Sequence, residues 1–274
     1  MYDIPVAAWF SHLGYDSIVS TLRRIPDGEE FPISATLFVT YLKCPQQALA
    51  RVQGIYPEPS VDLFRGSLAH RIFARHLVDG PILDEEFTAV CRREAGAHLG
   101  GTMASLSMKP SEFRSVTAQV AQQYEAFKQL PVDGFVDAEV EVDSEPTEGV
   151  RLRGRVDAVF SDEFGTRIVD WKTGSFIDDS EPQLEFYAMA WQFLHGELPA
   201  RMEAVSFKTG EKRSFVPTKE GATETENRVA TMIEGFREAI RTRSELPRTA
   251  GPYCGWCPLL DDCVEGATAL EVLR

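Results

Sequence analysis

The sequence is short of cations. Its 274 residues carry 28 lysines and arginines against 42 aspartates and glutamates, a formal net charge of −14. That balance excludes the bulk affinity for nucleic acid that a basic surface provides. A polyanion would have to be met by local groups of arginine, and two exist: Arg51, Arg65, Arg71 and Arg75 in one stretch, and Arg151, Arg153 and Arg155 in another. A solvated face is the plain alternative for each. Long apolar runs are missing too. Met1 to Ser20 has no cationic start and is interrupted by Asp3, Pro5, His12 and Asp16. Neither a secretory leader nor a membrane anchor is expected, and the chain reads as cytoplasmic. There is no repeat, no low-complexity tract and no G-x-x-x-x-G-K-[ST] loop, which excludes a P-loop motor. Cysteine is scarce. Five thiols in a cytosolic chain suit metal ligation or an inert core better than disulfides.

What is present, 43% hydrophobic and 26% charged residues, gives enough apolar mass for a full core. Ser34 is a plausible N-cap for a helix over residues 34–50, with Leu37, Tyr41 and Ala48 on one face. A second helix is expected from Val61 to Val78, where Phe64, Leu68 and Ile72 follow helical spacing and His70 sits near the edge of the stripe. From Glu85 to Leu130 the pattern stays helical, with a break around Gly100 to Ser107. The character changes at Phe135. Val136, Ala138, Val140 and Val142 alternate with Asp137, Glu139, Glu141 and Asp143, the period of a half-buried strand. Val150 to Phe160 alternates likewise and sets Asp157 on the face of Arg151, Arg153 and Arg155. After a turn at Ser161–Thr166, Arg167 to Lys172 reads as a third strand, with Asp170 and Lys172 projecting together. A helix over Ser180 to His195 has the apolar stripe Leu184, Ala188, Trp191 and Leu194, and Gln183 and Tyr187 stand one turn apart beside it. Two further strands are expected at Met202–Lys208 and Ser214–Pro217. Val229, Met232, Ile233, Phe236 and Ile240 mark a long amphipathic helix, and Ser244 to Tyr253 is a short linker. This order suits an α/β sandwich around a mixed sheet.

The chemistry gathers on the strands. Adjacent antiparallel strands would bring Asp157 and Asp170 close, and two nearby carboxylates repel unless a cation sits between them. Mg²⁺ is commonly held by one or two carboxylates with waters and phosphate oxygens. Lys172 on the same face could steer a water or stabilise charge on a phosphate. Each piece alone also reads as a salt bridge or a solvated face. His70 alone reads as a core histidine, Gln183 with Ser180 as an S-x-x-Q capping box, and Tyr187 as packing.

The run Gly154-Arg155-Val156-Asp157, then Val169-Asp170-Trp171-Lys172-Thr173-Gly174, then Gln183-Leu184-Glu185-Phe186-Tyr187 resembles successive motifs of RecB-like nucleases in the PD-(D/E)XK superfamily. Upstream, Arg65-Gly66-Ser67-Leu68-Ala69-His70 resembles their helical G-x-x-x-H motif. The match spans about residues 61–195. The resemblance implies that Asp157, Asp170 and the Trp171 carbonyl bind Mg²⁺ or Mn²⁺, with His70 a further ligand. Lys172 would then act on the nucleophilic water, and Gln183 and Tyr187 would support the site or touch DNA.

Cys254, Cys257 and Cys263 give C-x2-C-x5-C, three ligands where four are wanted, and Cys44 can complete the set if the chain ends meet. Spacing leaves zinc and [4Fe–4S] both open. A lone Cys-Pro before the nuclease core and three clustered cysteines after it resemble the iron–sulfur staple of AddB-type helicase–nucleases and CRISPR adaptation nucleases, which favours the cluster over Zn²⁺. Cys91 falls outside the pattern and reads as a buried spectator. The expected organisation is one nuclease domain over 1–274 with a helical insertion at 79–134. Residues 34–60 and 244–274 together form the cluster lobe. The expected function is cleavage of DNA phosphodiesters, from single-stranded or fraying ends, in repair, recombination or related processing. Any unwinding would come from a helicase or other DNA-processing partner, and no membrane is involved. The other reading is a nucleic-acid-binding or scaffold subunit that needs a partner for cleavage.

Overall fold

Ser34 begins the first helix as its residue type predicts, its hydroxyl accepting the Leu37 N–H at 3.1 Å. The single helix expected over 34–50 is nevertheless two, α1 (Ala35–Lys43) and α2 (Pro45–Val52). Pro45 is the reason. It offers no N–H to the helical ladder and disfavours the helical region for the residue before it, and Cys44 stands extended at φ −152° and ψ 103°. The break sets this cysteine at a joint, off any helix face. The computed structural model describes residues 20, 22, 31–174 and 180–273. Of the stretch read above as lacking a leader, all but Ser20 lies outside them. No helix among the described residues is long and apolar enough to cross a membrane.

After α2 come four helices, α3 (Val61–Asp79), α4 (Asp84–His98), α5 (Gly100–Ser105) and α6 (Pro110–Phe127). The strands follow, β2 (Phe135–Thr147), β3 (Val150–Asp162) and β4 (Gly165–Lys172), joined in sheet by the short first strand β1 (Phe31–Ser34). Then come α7 (Ser180–His195), β5 (Arg201–Ser206), β6 (Lys212–Phe215) and α8 (Lys219–Thr242). Two 3₁₀ turns at Pro252–Trp256 and Leu260–Asp262 lead to α9 (Val264–Val272). The sheet runs β1-β3-β4-β5-β6, with β2 also paired to β3. It is mixed: β1 with β3 and β4 with β5 are parallel, the other pairs antiparallel. The β3–β4 hairpin closes because Asp162 Oδ1 accepts the Phe164 N–H at 2.8 Å and Gly165 adopts φ 116°.

The sheet carries a core on each face. Val156, Ile168, Met202 and Ala204 pack against α1, α7 and α8 through Phe38, Phe186 and Phe236. Ala158, Phe160, Val169, Trp171 and Val205 pack against α3, α4 and α6 through Phe73, Phe87 and Phe127. This is an α/β fold with a mixed central sheet flanked by helices. Three expectations need correction. β1 was not foreseen, because four residues stabilised by pairing with β3 carry too little pattern of their own. Val136 is exposed, since the β2–β3 register slips between Phe135 and Asp137. Leu194 and Ile240 are exposed at 42% and 45%, each in the last turn of its helix, where the covering sheet has ended.

Candidate active site

Asp157 lies on β3 and Asp170 on β4. Pairing between these strands runs from Asp162–Gly165 to Ala158–Val169 and stops, one step short of the two carboxylates. β4 continues beside β5 as far as Lys172 opposite Ser206. Where the ladder ends, side chains take over. Asp157 Oδ2 accepts the Trp171 N–H at 2.6 Å, and Asp157 Oδ1 meets His70 Nδ1 at 2.8 Å. An extended residue turns its N–H and C=O to the same side, so the Trp171 carbonyl lies on the Asp157 side as well. The indole itself is core, edge-on to Phe127 at 5.5 Å.

His70 reaches Asp157 because α3 lies close on the end of β4. A Cβ at Gly66 would stand 2.9 Å from Thr173 Oγ1, so the glycine one turn before His70 is what permits the approach. A third group joins them: His70, Glu139 and Asp157 each place a ligand atom within 4.8 Å of the others. Sequence reasoning missed Glu139, which it placed among the polar positions of β2. The residue sits at φ 55°. That region costs a non-glycine residue about 1–2 kcal/mol. It is braced by the Arg155 guanidinium, 3.2 Å from its carboxylate. No residue type signals a left-handed residue inside a strand, and an alternating acidic position reads as solvated.

Asp170, Lys172, Gln183 and Tyr187 form a second, connected set. Lys172 Nζ lies 2.7 Å from Asp170 Oδ2 and donates to Gln183 Oε1 at 2.6 Å. The Gln183 amide nitrogen donates to Asp170 Oδ1 at 3.0 Å and to the Tyr187 hydroxyl at 3.3 Å. The amide is thus engaged with the site. Asp170 is buried, and burial raises its pKa, with Asp157 adding to the rise and Lys172 opposing it. Burial alone would lower that of His70, but the Asp157 carboxylate, by charge and hydrogen bond, with Asp170 and Glu139 behind it, raises it overall. Burial first, then Asp170, pushes the Tyr187 phenol up, so it stands as a neutral hydroxyl. Two buried carboxylates and a third at the rim make a site that favours a cation, and His70, Glu139 and Asp157 are an N/O donor set that a hard or borderline divalent ion suits.

Of the residues expected from the sequence, His70, Asp157 and Tyr187 line one cleft of about 600 Å³ together with Glu139, whereas Asp170, Lys172 and Gln183 lie behind its lining, joined to it by the Gln183–Tyr187 hydrogen bond. The arginines are mostly committed elsewhere. Arg65 pairs with Asp62, Arg75 with Asp79, and Arg151 and Arg153 with Asp143. Arg71 and Arg155 line the cleft.

Cys44, Cys254, Cys257 and Cys263 line a single small pocket. Two segments about 200 residues apart are sewn together around it. Gln46 Oε1 accepts from Leu246 N at 2.7 Å, and the Tyr253 hydroxyl donates to Lys43 O at 2.8 Å. Gly251 N–H points at Cys254 Sγ and Gly266 N–H at Cys263 Sγ, both at 3.4 Å. Burial raises the Cys257 pKa, and the neighbouring Cys44, Cys254 and Cys263 sulfurs raise it further, so four thiolates here call for positive charge. The sulfurs are spread: among the described residues, the His70 group alone gathers three ligand atoms within 4.8 Å. Cys91 is buried in the helical layer, its thiol pushed up to about 12 by burial.

Strands that part at paired acids, with a lysine two residues beyond the second, define the nuclease class to which the comparisons lead. Residues 32–264 match the PD-(D/E)XK nuclease superfamily, and the chain belongs to it. Members typically use divalent metals such as Mg²⁺. A crystal structure of a protein from Eubacterium rectale, provisionally assigned as an exonuclease, shares the fold at a TM-score of 0.54 and 14% identity. The alignment covers 84% of this chain and 87% of that one. A second crystal structure, of SSO0001, aligns at a TM-score of 0.32 and 15% identity over 73% of this chain and 96% of that one, too loosely to carry an argument. No curated protein sequence matches the chain.

Proposed function

We propose that this chain is a DNA exonuclease that uses Mg²⁺ or Mn²⁺ to hydrolyse phosphodiesters at single-stranded or fraying ends, in repair, recombination or related processing. The observation that carries it is the meeting of His70, Glu139 and Asp157 with the Asp170–Lys172–Gln183 set where β3 and β4 part. His70, Asp157, Glu139, Asp170 and the Trp171 carbonyl would hold the ion, which would supply Lewis acidity and make a water more acidic. Lys172 offers its ammonium to the attacking water and the crowded phosphate oxygens. Gln183 holds Lys172 and Asp170 in register, and Tyr187 backs Gln183.

Cys44, Cys254, Cys257 and Cys263 would hold a [4Fe–4S] cluster. Backbone N–H groups aimed at two of the sulfurs support thiolate ligands. DNA is the partner, with a helicase or similar enzyme supplying any unwinding.

The test compares wild-type protein with Asp170→Ala and Lys172→Ala on labelled linear single-stranded DNA with Mn²⁺. Loss of a group at the reacting centre costs about two to four orders of magnitude in rate. Lys172→Ala should lose cleavage yet still bind Mn²⁺, since an ammonium is no ligand for a cation. Near-wild-type cleavage by either folded variant would leave the binding-subunit reading in its place.

A further inference from the structure

We propose that a second pocket, between α4, α5 and α6, receives a nucleotide of the same DNA strand outside the catalytic cleft; the inference rests on the nuclease reading and deepens it. The pocket measures about 360 Å³ and is rimmed by Arg92, Lys109 and Arg114, with no carboxylate in its lining. Its floor is Met103, Met108 and Phe113. In a chain of net charge −14 this is unusual. Several arginines elsewhere are neutralised by acids, as Arg65, Arg75, Arg151 and Arg167 are. Among the described residues, Arg92, Lys109 and Arg114 have no ion pair, and all three side chains are exposed. Three cations without an ion pair, with Glu112 committed to the Lys109 N–H at 2.7 Å as the one carboxylate shown beside them, surround polarizable thioethers and match a phosphate joined to a flat base, where the phosphate meets the charge and the base lies on sulfur and ring.

The pocket is placed to continue the strand's path. α4 gives His98, and Leu99 that caps it, to the catalytic cleft, and Ala95 and Gly96 to the pocket. Leu99 O accepts from Met103 N at 2.9 Å, so cleft and pocket are one helical turn apart. A strand whose scissile phosphate sits at Asp157 would lie across α4 and α5 before reaching the three cations. Their placement explains how an acidic protein holds a polyanion: the attraction is confined to one track.

The test is binding of a fluorescent dT15 oligonucleotide, followed by anisotropy in EDTA so that nothing is cut. Arg92→Gln/Arg114→Gln should weaken binding at least tenfold and make the plot of log affinity against log salt shallower by about 1.4, two contacts at about 0.7 each. Gly96→Leu should fill the pocket, since a Cβ there meets nothing within 4 Å, and should weaken binding without changing the salt slope. Arg241→Gln, whose arginine is paired to Glu238 on α8, is the control. Hydrolysis of bis(p-nitrophenyl) phosphate, too small to span both sites, should be unchanged in all of them. If both pocket variants bind dT15 within twofold of wild type while DNA is still cut, the pocket assignment fails and the nuclease reading stands. If the variants lose dT15 but wild type cuts no DNA, the pocket assignment stands and the nuclease reading fails.

Discussion

Gly154 and Tyr187 meet where no side chain would fit: a Cβ on Gly154 would lie 2.5 Å from the tyrosine ring. The glycine that opens the Gly154–Asp157 run is therefore a space held for the ring behind Gln183. Gly154→Ala should force the ring aside and loosen Gln183 and, through it, Lys172. Overpacking of this kind costs about 1–3 kcal/mol, and displacing a catalytic group by about 1 Å can cost about a hundredfold in rate. Cleavage by Gly154→Ala should fall 10- to 100-fold by those same measures, with a lowered melting temperature. Adding Tyr187→Ala removes the clash but leaves the ring's cavity, so the two substitutions should not add in melting temperature and the rate should not recover; a single Gly154→Ala variant that melts and cuts like wild type would refute the contact.

Glu139 and His70 should matter to metal binding. Glu139→Gln and His70→Gln are expected to weaken Mn²⁺ binding, measured calorimetrically, by about 10- to 100-fold, the loss typical of even outer-shell partners at metal sites. Asp137→Asn, on the same strand but outside the cluster, should leave it unchanged. Equal affinity in Glu139→Gln and wild type would remove this residue from the ligand set.

Freshly purified protein should be brown, with broad visible absorbance that bleaches on reduction. Serine at Cys44, Cys254, Cys257 or Cys263 should lower both colour and soluble yield, whereas Cys91→Ser should spare both. A colourless, zinc-containing, fully active preparation would overturn the cluster assignment.

A buried histidine away from the site sets a pH dependence. His76 Nδ1 faces the Tyr124 hydroxyl at 2.8 Å, and that hydroxyl accepts the Ile82 N–H at 2.8 Å. Burial, then the Lys128 ammonium, lowers the His76 pKa below its ordinary value. The neutral ring therefore contributes fully above the unfolded-state pKa. As the pH falls toward the lowered value, the unfolded chain takes up a proton that the fold refuses, and stability is lost. His76→Gln, which keeps an acceptor but cannot titrate, should flatten the fall in melting temperature between about pH 7.5 and pH 5, either side of the ordinary histidine range. Parallel curves for the two proteins would show that His76 does not drive it.

The sequence made most of the site readable because regular backbone carries it. Asp170 and Lys172 share a face by the two-residue period of β4, and Gln183 and Tyr187 share one by the turn of α7, so residue type and spacing sufficed. Glu139 escaped because its polar position on β2 read as solvated, and no residue type marks the φ of 55° at which it joins His70 and Asp157. The break between α1 and α2 was written in Pro45, but the apolar spacing on either side outweighed it. β1 exists through its register with β3, and no local pattern records a partner more than a hundred residues away.

The joint at Cys44 also sets an order of events during synthesis. Lys43 and Tyr253, which close the lobe, are 210 residues apart. At roughly 5–20 residues per second, the ribosome leaves the first cysteine waiting about 10 to 40 s for its three counterparts. Only toward the end of that interval, once β6 is made, can every strand of the sheet be in hand while the lobe is still open, so a chain stalled before Cys263 would have Asp157 and Asp170 on paired strands yet lack the last cysteine of the lobe.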